Sequence, residues 1–141
     1  MKNQNINIFN STEFKPIPRK QIARCVSAIL YEHKIDEYLI NIIIQTNDEI
    51  RKINKEFLNH DYETDVISFN LEETPFEGEV YISIDKTIEQ ANDYGVSIKD
   101  ELLRLISHGV LHLVGYNDTT ENEKNSMHKL ENKYIELSKK K

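Results

Sequence analysis

Apolar residues recur along this chain at two periods, and each change of period marks the edge of an element. Asn5-Ile6-Asn7-Ile8-Phe9 alternates polar with apolar side chains and predicts a first strand. After a loop to Pro16 and Pro18, Ile22, Cys25, Val26, Ile29 and Leu30 recur at steps of three and four. That stripe predicts a helix to about Glu32, with Arg19, Lys20 and Arg24 largely off its buried face. Tyr38–Ile44 is rich in β-branched residues and short, so it reads as a mostly buried strand. Asn47 or Asp48 is expected to cap a second helix carrying Ile50, Ile53 and Phe57 and ending near Asn59-His60-Asp61. Thr64–Leu71 and Gly78–Ile84 alternate as a third and a fourth strand, joined by a hairpin-like connection over 72–77 that contains Pro75. A helix from about Lys86 to Tyr94 stops at Gly95. The last helix, Thr120 to Ser138, presents Met127, Leu130, Tyr134 and Leu137 as its packing face and leads into a basic tail, Lys139-Lys140-Lys141.

Residues 98–114 break this amphipathic pattern. Leu102, Leu103, Leu105, Ile106, Val110, Leu111, Leu113 and Val114 surround most of a helical circumference, which predicts a helix buried inside the domain. One polar line survives along it, Glu101, Arg104, His108 and His112, at steps of three, four and four. Polar groups on a buried rod need partners. Two imidazoles one turn apart can converge on one metal ion, and Gly115 is suited to end the helix and turn the chain so that Asp118 returns to the same point. Three protein ligands leave a coordination position for water, the pattern of a catalytic site.

Simpler readings stand beside this one. His108 and His112 could be core histidines hydrogen-bonded to backbone or carboxylates, and Asp118 could cap the last helix, although Thr120 with Glu123 offers a competing capping box. His33, His60 and His128 are isolated and read as surface or supporting residues, and Cys25 as a packing residue. Gly109 follows His108 where the zinc-peptidase helix carries its glutamate base, so peptidase chemistry is disfavoured. A closed structural zinc module is disfavoured too, because such sites are rich in cysteine and this chain has one.

At 141 residues the chain has the length of one domain, and with 38% hydrophobic and 30% charged residues it has an ordinary globular composition. No apolar run approaches the span of a bilayer. The lone cysteine and the lack of an apolar leader predict a cytoplasmic protein. The net charge of −6 argues against a simple polyanion-binding surface, but its distribution is uneven. Residues 1–35 hold six basic and two acidic side chains, net +4, leaving −10 for the remainder, so an N-terminal basic surface bearing Arg19 and Arg24 is a candidate RNA contact.

His-Gly-x-Leu-His-Leu-x-Gly-Tyr from His108, preceded by Asn54-Lys55-Glu56-Phe57, Asp61, Thr64–Phe69 and Gly78–Ser83, resembles the YbeY-type family of ribosomal RNA maturation factors and endoribonucleases over about residues 40–135. The resemblance implies an α+β fold with a small mixed four-stranded sheet against about five helices. It also implies one divalent metal such as Zn2+, and single-strand-specific cleavage during ribosomal RNA maturation and ribosome quality control, with the small ribosomal subunit or its associated factors as partners. By position the ligands are His108, His112 and Asp118. Thr64, Asp65 and Ser68 would shape the pocket.

Two positions depart from the family pattern. Asp118 stands where the family commonly has a histidine ligand, and Leu58 where it commonly has an arginine. Arg104 is a candidate substitute for stabilising phosphate charge, or a partner of Glu101. The alternatives are a noncatalytic ribosome-associated RNA-binding factor with a structural or vestigial metal, and a metal-dependent hydrolase of a small substrate.

Overall fold

The structure, a computed structural model, describes residues 2–140, so Lys141 of the expected basic tail lies outside the described residues. Four strands, β1 (Gln4–Asn10), β2 (Tyr38–Gln45), β3 (Val66–Glu73) and β4 (Phe76–Ser83), form one sheet in the order β1-β2-β4-β3. β1 and β2 are parallel, as are β2 and β4, while β3 runs antiparallel to β4. The connections explain the mixture. Helix α1 (Arg19–Glu32) carries the chain back between β1 and β2, as a parallel pair requires, whereas β3 and β4 are joined by Thr74-Pro75 alone. Helix α2 (Asn47–Leu58) links β2 to β3, and α3 (Ile84–Tyr94), α4 (Ile98–Leu113) and α5 (Glu121–Ser138) follow the last strand. Two strand–helix units thus precede the β3–β4 hairpin and three helices follow it, so a mixed sheet is combined with a run of helices, the α+β arrangement.

Along β2 the alternation is regular: Tyr38, Ile40, Ile42 and Ile44 are buried and the residues between them half-buried. The buried set joins Val80 and Ile82 of β4, the α1 stripe and the apolar sides of α4 in one core. Helix α4 packs against α1, α3, α5, β3 and β4, which accounts for its nearly all-round hydrophobicity. Cys25 is buried there, its thiol facing the Tyr134 carbonyl at 3.3 Å, a packing role. No helix among the described residues is long and apolar enough to cross a membrane.

Several local expectations shift by a few residues, each for a visible reason. The cap of α2 is Thr46 rather than Asn47 or Asp48: its hydroxyl accepts the Glu49 amide while Glu49 accepts the Thr46 amide, a capping box. Helix α3 starts at Ile84, not Lys86, because Ser83 ends β4 and caps the helix by accepting the Lys86 amide. β3 begins at Val66, leaving Thr64 and Asp65 in the preceding loop, and a bulge near Leu71 separates its two stretches of pairing. On α5 the buried face is Met127, Glu131, Tyr134, Ile135 and Ser138, with Leu130 and Leu137 only partly buried. A carboxylate therefore occupies the middle of a packing face.

Candidate metal centre

The polar line of α4 is positioned by how closely the helix lies on the sheet. A Cβ at Gly109 would stand 2.5 Å from Val80 Cγ1 and 3.1 Å from both Ser68 Oγ and Val66 Cγ2, so only glycine permits this approach. Ser68 Oγ donates to the Gly109 carbonyl at 2.8 Å, and Asn70 Nδ2 donates to the Leu113 carbonyl at 2.9 Å. The second bond satisfies one of the carbonyls that a helix end leaves free.

Helix α4 then closes on Gly115, whose φ of +109° lies in the region that favours glycine. The Tyr116 amide donates back to the Leu111 carbonyl at 3.0 Å, a turn that aims the Tyr116 carbonyl at the helix. His112 Nδ1 donates to that carbonyl at 2.9 Å. The turn is tied to α1 as well: His33 Nδ1 donates to the Ile29 carbonyl, leaving its Nε2 to accept the Tyr116 hydroxyl at 2.9 Å. His33 is thus a support of the loop that carries Asp118.

His108 Nδ1 donates to Glu131 Oε2 at 2.7 Å. Both Nδ1 atoms are committed as donors, and the two Nε2 atoms face each other at 2.9 Å. Asp118 adds two more acceptors, Oδ2 at 3.2 Å from His108 Nε2 and Oδ1 at 3.6 Å from His112 Nε2. With their Nε2 atoms unprotonated, the rings and the carboxylate are convergent acceptors that repel one another, and a cation relieves that repulsion. The separations also suit one ion, since the edge of a tetrahedron with bonds of ~2.0–2.1 Å is roughly 3.3–3.4 Å. His108, His112 and Asp118 each offer a ligand atom within 4.8 Å of the others, so the set could hold a metal. Asp118 is not the cap of α5; Thr120 takes that role in a capping box with Glu123. The three side chains keep 20%, 31% and 36% of their surface exposed, open enough for a substrate to reach.

Charges behind the cluster form a chain. Arg104 lies between two buried carboxylates, Nη1 at 3.3 Å from Glu131 Oε1 and Nε at 3.6 Å from Glu101 Oε1. Burial pushes the Glu101 carboxyl up to about 7, with Arg104 opposing the rise and Glu131 and Asp65 adding to it. Burial alone would lower His108, but the hydrogen bond and charge of Glu131, helped by Asp118 and Asp65, carry it above the ordinary histidine value.

Two clefts meet at the cluster, both bordered by Asp65 and His108. One, of about 490 Å³, is walled by Thr64, Asp65 and Ser68 together with His112, so the three expected pocket residues stand beside the two histidines. The other, of about 620 Å³, includes Arg104, Asp118 and Glu131. Leu58 lines the first cleft, and neither Lys nor Arg does. Arg19 and Arg24 border neither cleft; they donate to the carbonyls of Ile8 and Ser138. Glu131 and the Tyr116 carbonyl were missed by sequence reasoning. For Glu131 the signal was present, since it lies four residues after Met127 and three before Tyr134, on the packing face.

The chain is similar to known proteins over nearly its whole length. The family model described as endoribonuclease YbeY matches residues 6–139. A protein of Chlorobaculum parvum named endoribonuclease YbeY is 39% identical over 132 residues, 93% of each chain. One of the same name from Cytophaga hutchinsonii is 34% identical over 99% of each chain, and one from Bacillus licheniformis 46% identical over 62% of this chain and 64% of its own. The solution structure of TM1509 from Thermotoga maritima superposes with a TM-score of 0.66 at 28% identity, covering 94% of this chain and 88% of its own. On these grounds, and with the histidine helix and glycine turn in place, the chain belongs to the YbeY endoribonuclease family.

Proposed function

We propose that this chain is a metal-dependent, single-strand-specific endoribonuclease that matures ribosomal RNA and takes part in ribosome quality control, working in the cytoplasm on the small ribosomal subunit or its associated factors. One observation carries the metal dependence: three acceptor groups meet at one point while both histidine Nδ1 atoms are already committed as donors. Imidazole nitrogens and a carboxylate in a small open cluster suit Zn2+. A bound divalent cation would supply Lewis-acid polarisation of a phosphate oxygen and a water of lowered pKa.

The residues of the chain do the placing. His108, His112 and Asp118 hold the ion, and Glu131 and the Tyr116 carbonyl set the ring orientations. Thr64, Asp65 and Ser68 shape the wall against which the strand lies. Asp118 in place of a neutral imidazole adds negative charge and moderates the Lewis acidity of the site. Arg104, held between Glu101 and Glu131, supports the cluster electrostatically and faces the second cleft, where it can offset phosphate charge.

The test is a single-turnover cleavage assay on single-stranded RNA with chelated and zinc-reconstituted protein, and with His112→Ala to exclude a contaminating nuclease. Cleavage that needs zinc and vanishes in the variant is expected. RNA binding that is indifferent to metal, without cleavage, would instead support a noncatalytic ribosome-associated factor. The observation favouring that second reading is the cleft beside His112, which lacks a phosphate-binding cation and carries Leu58.

A further inference from the structure

The cleft beside His108 and His112 has an unusual wall for a site that takes a polyanion. Its lining includes no Lys or Arg, and its one carboxylate, Asp65, repels phosphate. What it offers beside uncharged polar side chains is flat aromatic surface at its outer edge. The rings of His60 and Tyr62 are stacked on each other, 5.3 Å between centroids and 13° from parallel. Tyr62 is 55% exposed and Leu58 42% exposed, so this part of the wall faces solvent rather than the core. The pair is built rather than incidental. Asn54, only 2% exposed, donates from Nδ2 to the Tyr62 carbonyl at 3.0 Å, fixing the loop, and the Tyr62 hydroxyl lies 3.2 Å from His60 Nδ1.

Resting on the endoribonuclease reading above, we propose that the stacked His60–Tyr62 pair is a base-stacking platform that takes one unpaired nucleobase of the RNA strand next to the metal cluster. Single-stranded nucleic acid is held by two kinds of contact, cations along the backbone and aromatic faces against the bases. Where the cations are missing, the aromatic face has to carry the binding. An unpaired base can reach such a face and a base in a duplex cannot, so the platform also selects for single strands. Stacking tolerates every base, because each has a π-face. With the base on Tyr62, the adjoining backbone runs toward His108 and His112, which border the same cleft.

The test uses the full chain with chelator present, so that the RNA stays intact, and follows fluorescence anisotropy of labelled hexauridylate and hexaadenylate. Tyr62→Ala is expected to bind both about tenfold more weakly, the loss of one stack. The salt dependence should keep its slope, since no ionic contact is removed. Tyr62→Phe should bind like the parent protein, and thermal unfolding of the variants separates a lost platform from a lost fold. His60→Ala should weaken binding in the same sense. Unchanged binding in a folded Tyr62→Ala would overturn the proposal, as would a shallower salt slope or equal affinity for duplex and single strand. Cleavage is scored separately with zinc: its absence would sink the enzymatic reading and leave the platform standing, whereas cleavage with unaffected binding in Tyr62→Ala would sink the platform alone.

Discussion

Glu131 on α5 accepts a hydrogen bond from His108 Nδ1 on α4 at 2.7 Å, although the carboxylate is only 5% exposed. A buried charge in that position orients the imidazole and directs its Nε2 lone pair at His112 and Asp118. Partners of this kind commonly contribute 10–100-fold to metal affinity, and about that loss is expected for Glu131→Ala in competition with a chromophoric zinc chelator. Glu131→Gln, whose amide oxygen can still accept the Nδ1 proton, should recover most of it.

Asp118 differs in being a proposed ligand itself. Asp118→Ala removes one of the three proposed ligands, so its loss of zinc affinity should exceed that of Glu131→Ala. Asp118→His, which installs the imidazole common in the family, should keep the metal. Elemental analysis of protein dialysed against metal-free buffer distinguishes the two. Retention of zinc by Asp118→Ala would contradict the ligand assignment.

Gly109 tests the reason for the close approach of α4 to the sheet. The methyl group of Gly109→Ala would meet Val80, Val66 and Ser68 at 2.5–3.1 Å, so the helix has to move outward. Overpacking of this kind costs about 1–3 kcal/mol, read as a lower urea midpoint with little change in slope. Because His108 and His112 flank this position on the same helix, zinc affinity should fall as well.

The metal-free protein should lose stability as pH rises, owing to Glu101. Its carboxyl is carried from 4.5 to about 7 by folding, so between those values the folded state binds more protons than the unfolded one. The contribution is fully present below the unfolded value and is lost as pH climbs through the folded one, on the order of 3 kcal/mol in all. His108, whose value is also raised, acts in the same direction. In Glu101→Gln the fall in urea stability between pH 5 and 8 should be visibly shallower. An equally steep fall would show that Glu101 is not its source.

How much of this was readable beforehand follows from the range of the interactions involved. The strand alternation, the all-round apolar α4 and the capping box of α5 depend on neighbours within a few residues, and they were legible. So was the histidine pair, because a spacing of four places both rings on one helix face whatever surrounds it. The N-terminal cap of α2 was misplaced by one or two residues because Thr46, Asn47 and Asp48 can all cap; the choice went to Thr46 through its reciprocal bonds with Glu49. Ser83 was assigned to a strand interior because the residues up to it alternate, and only its bond to the Lys86 amide reveals the start of α3.

By itself the sequence determined the helix that carries His108 and His112, the glycine turn after it and the number of strands, since these rest on periodicity and on backbone freedom at Gly115. Tertiary structure decided the rest. It brought Glu131 from another helix to His108, stacked His60 on Tyr62 in the cleft that His108 and His112 border, and placed Arg104 between two buried carboxylates. Residues 23 apart in the chain meet only when two helices pack, and the distance and angle of that packing are set by many side chains at once. No local pattern encodes such a meeting, which is why the shared helix face of His108 and His112 was legible and the pairing of Glu131 with His108 was not.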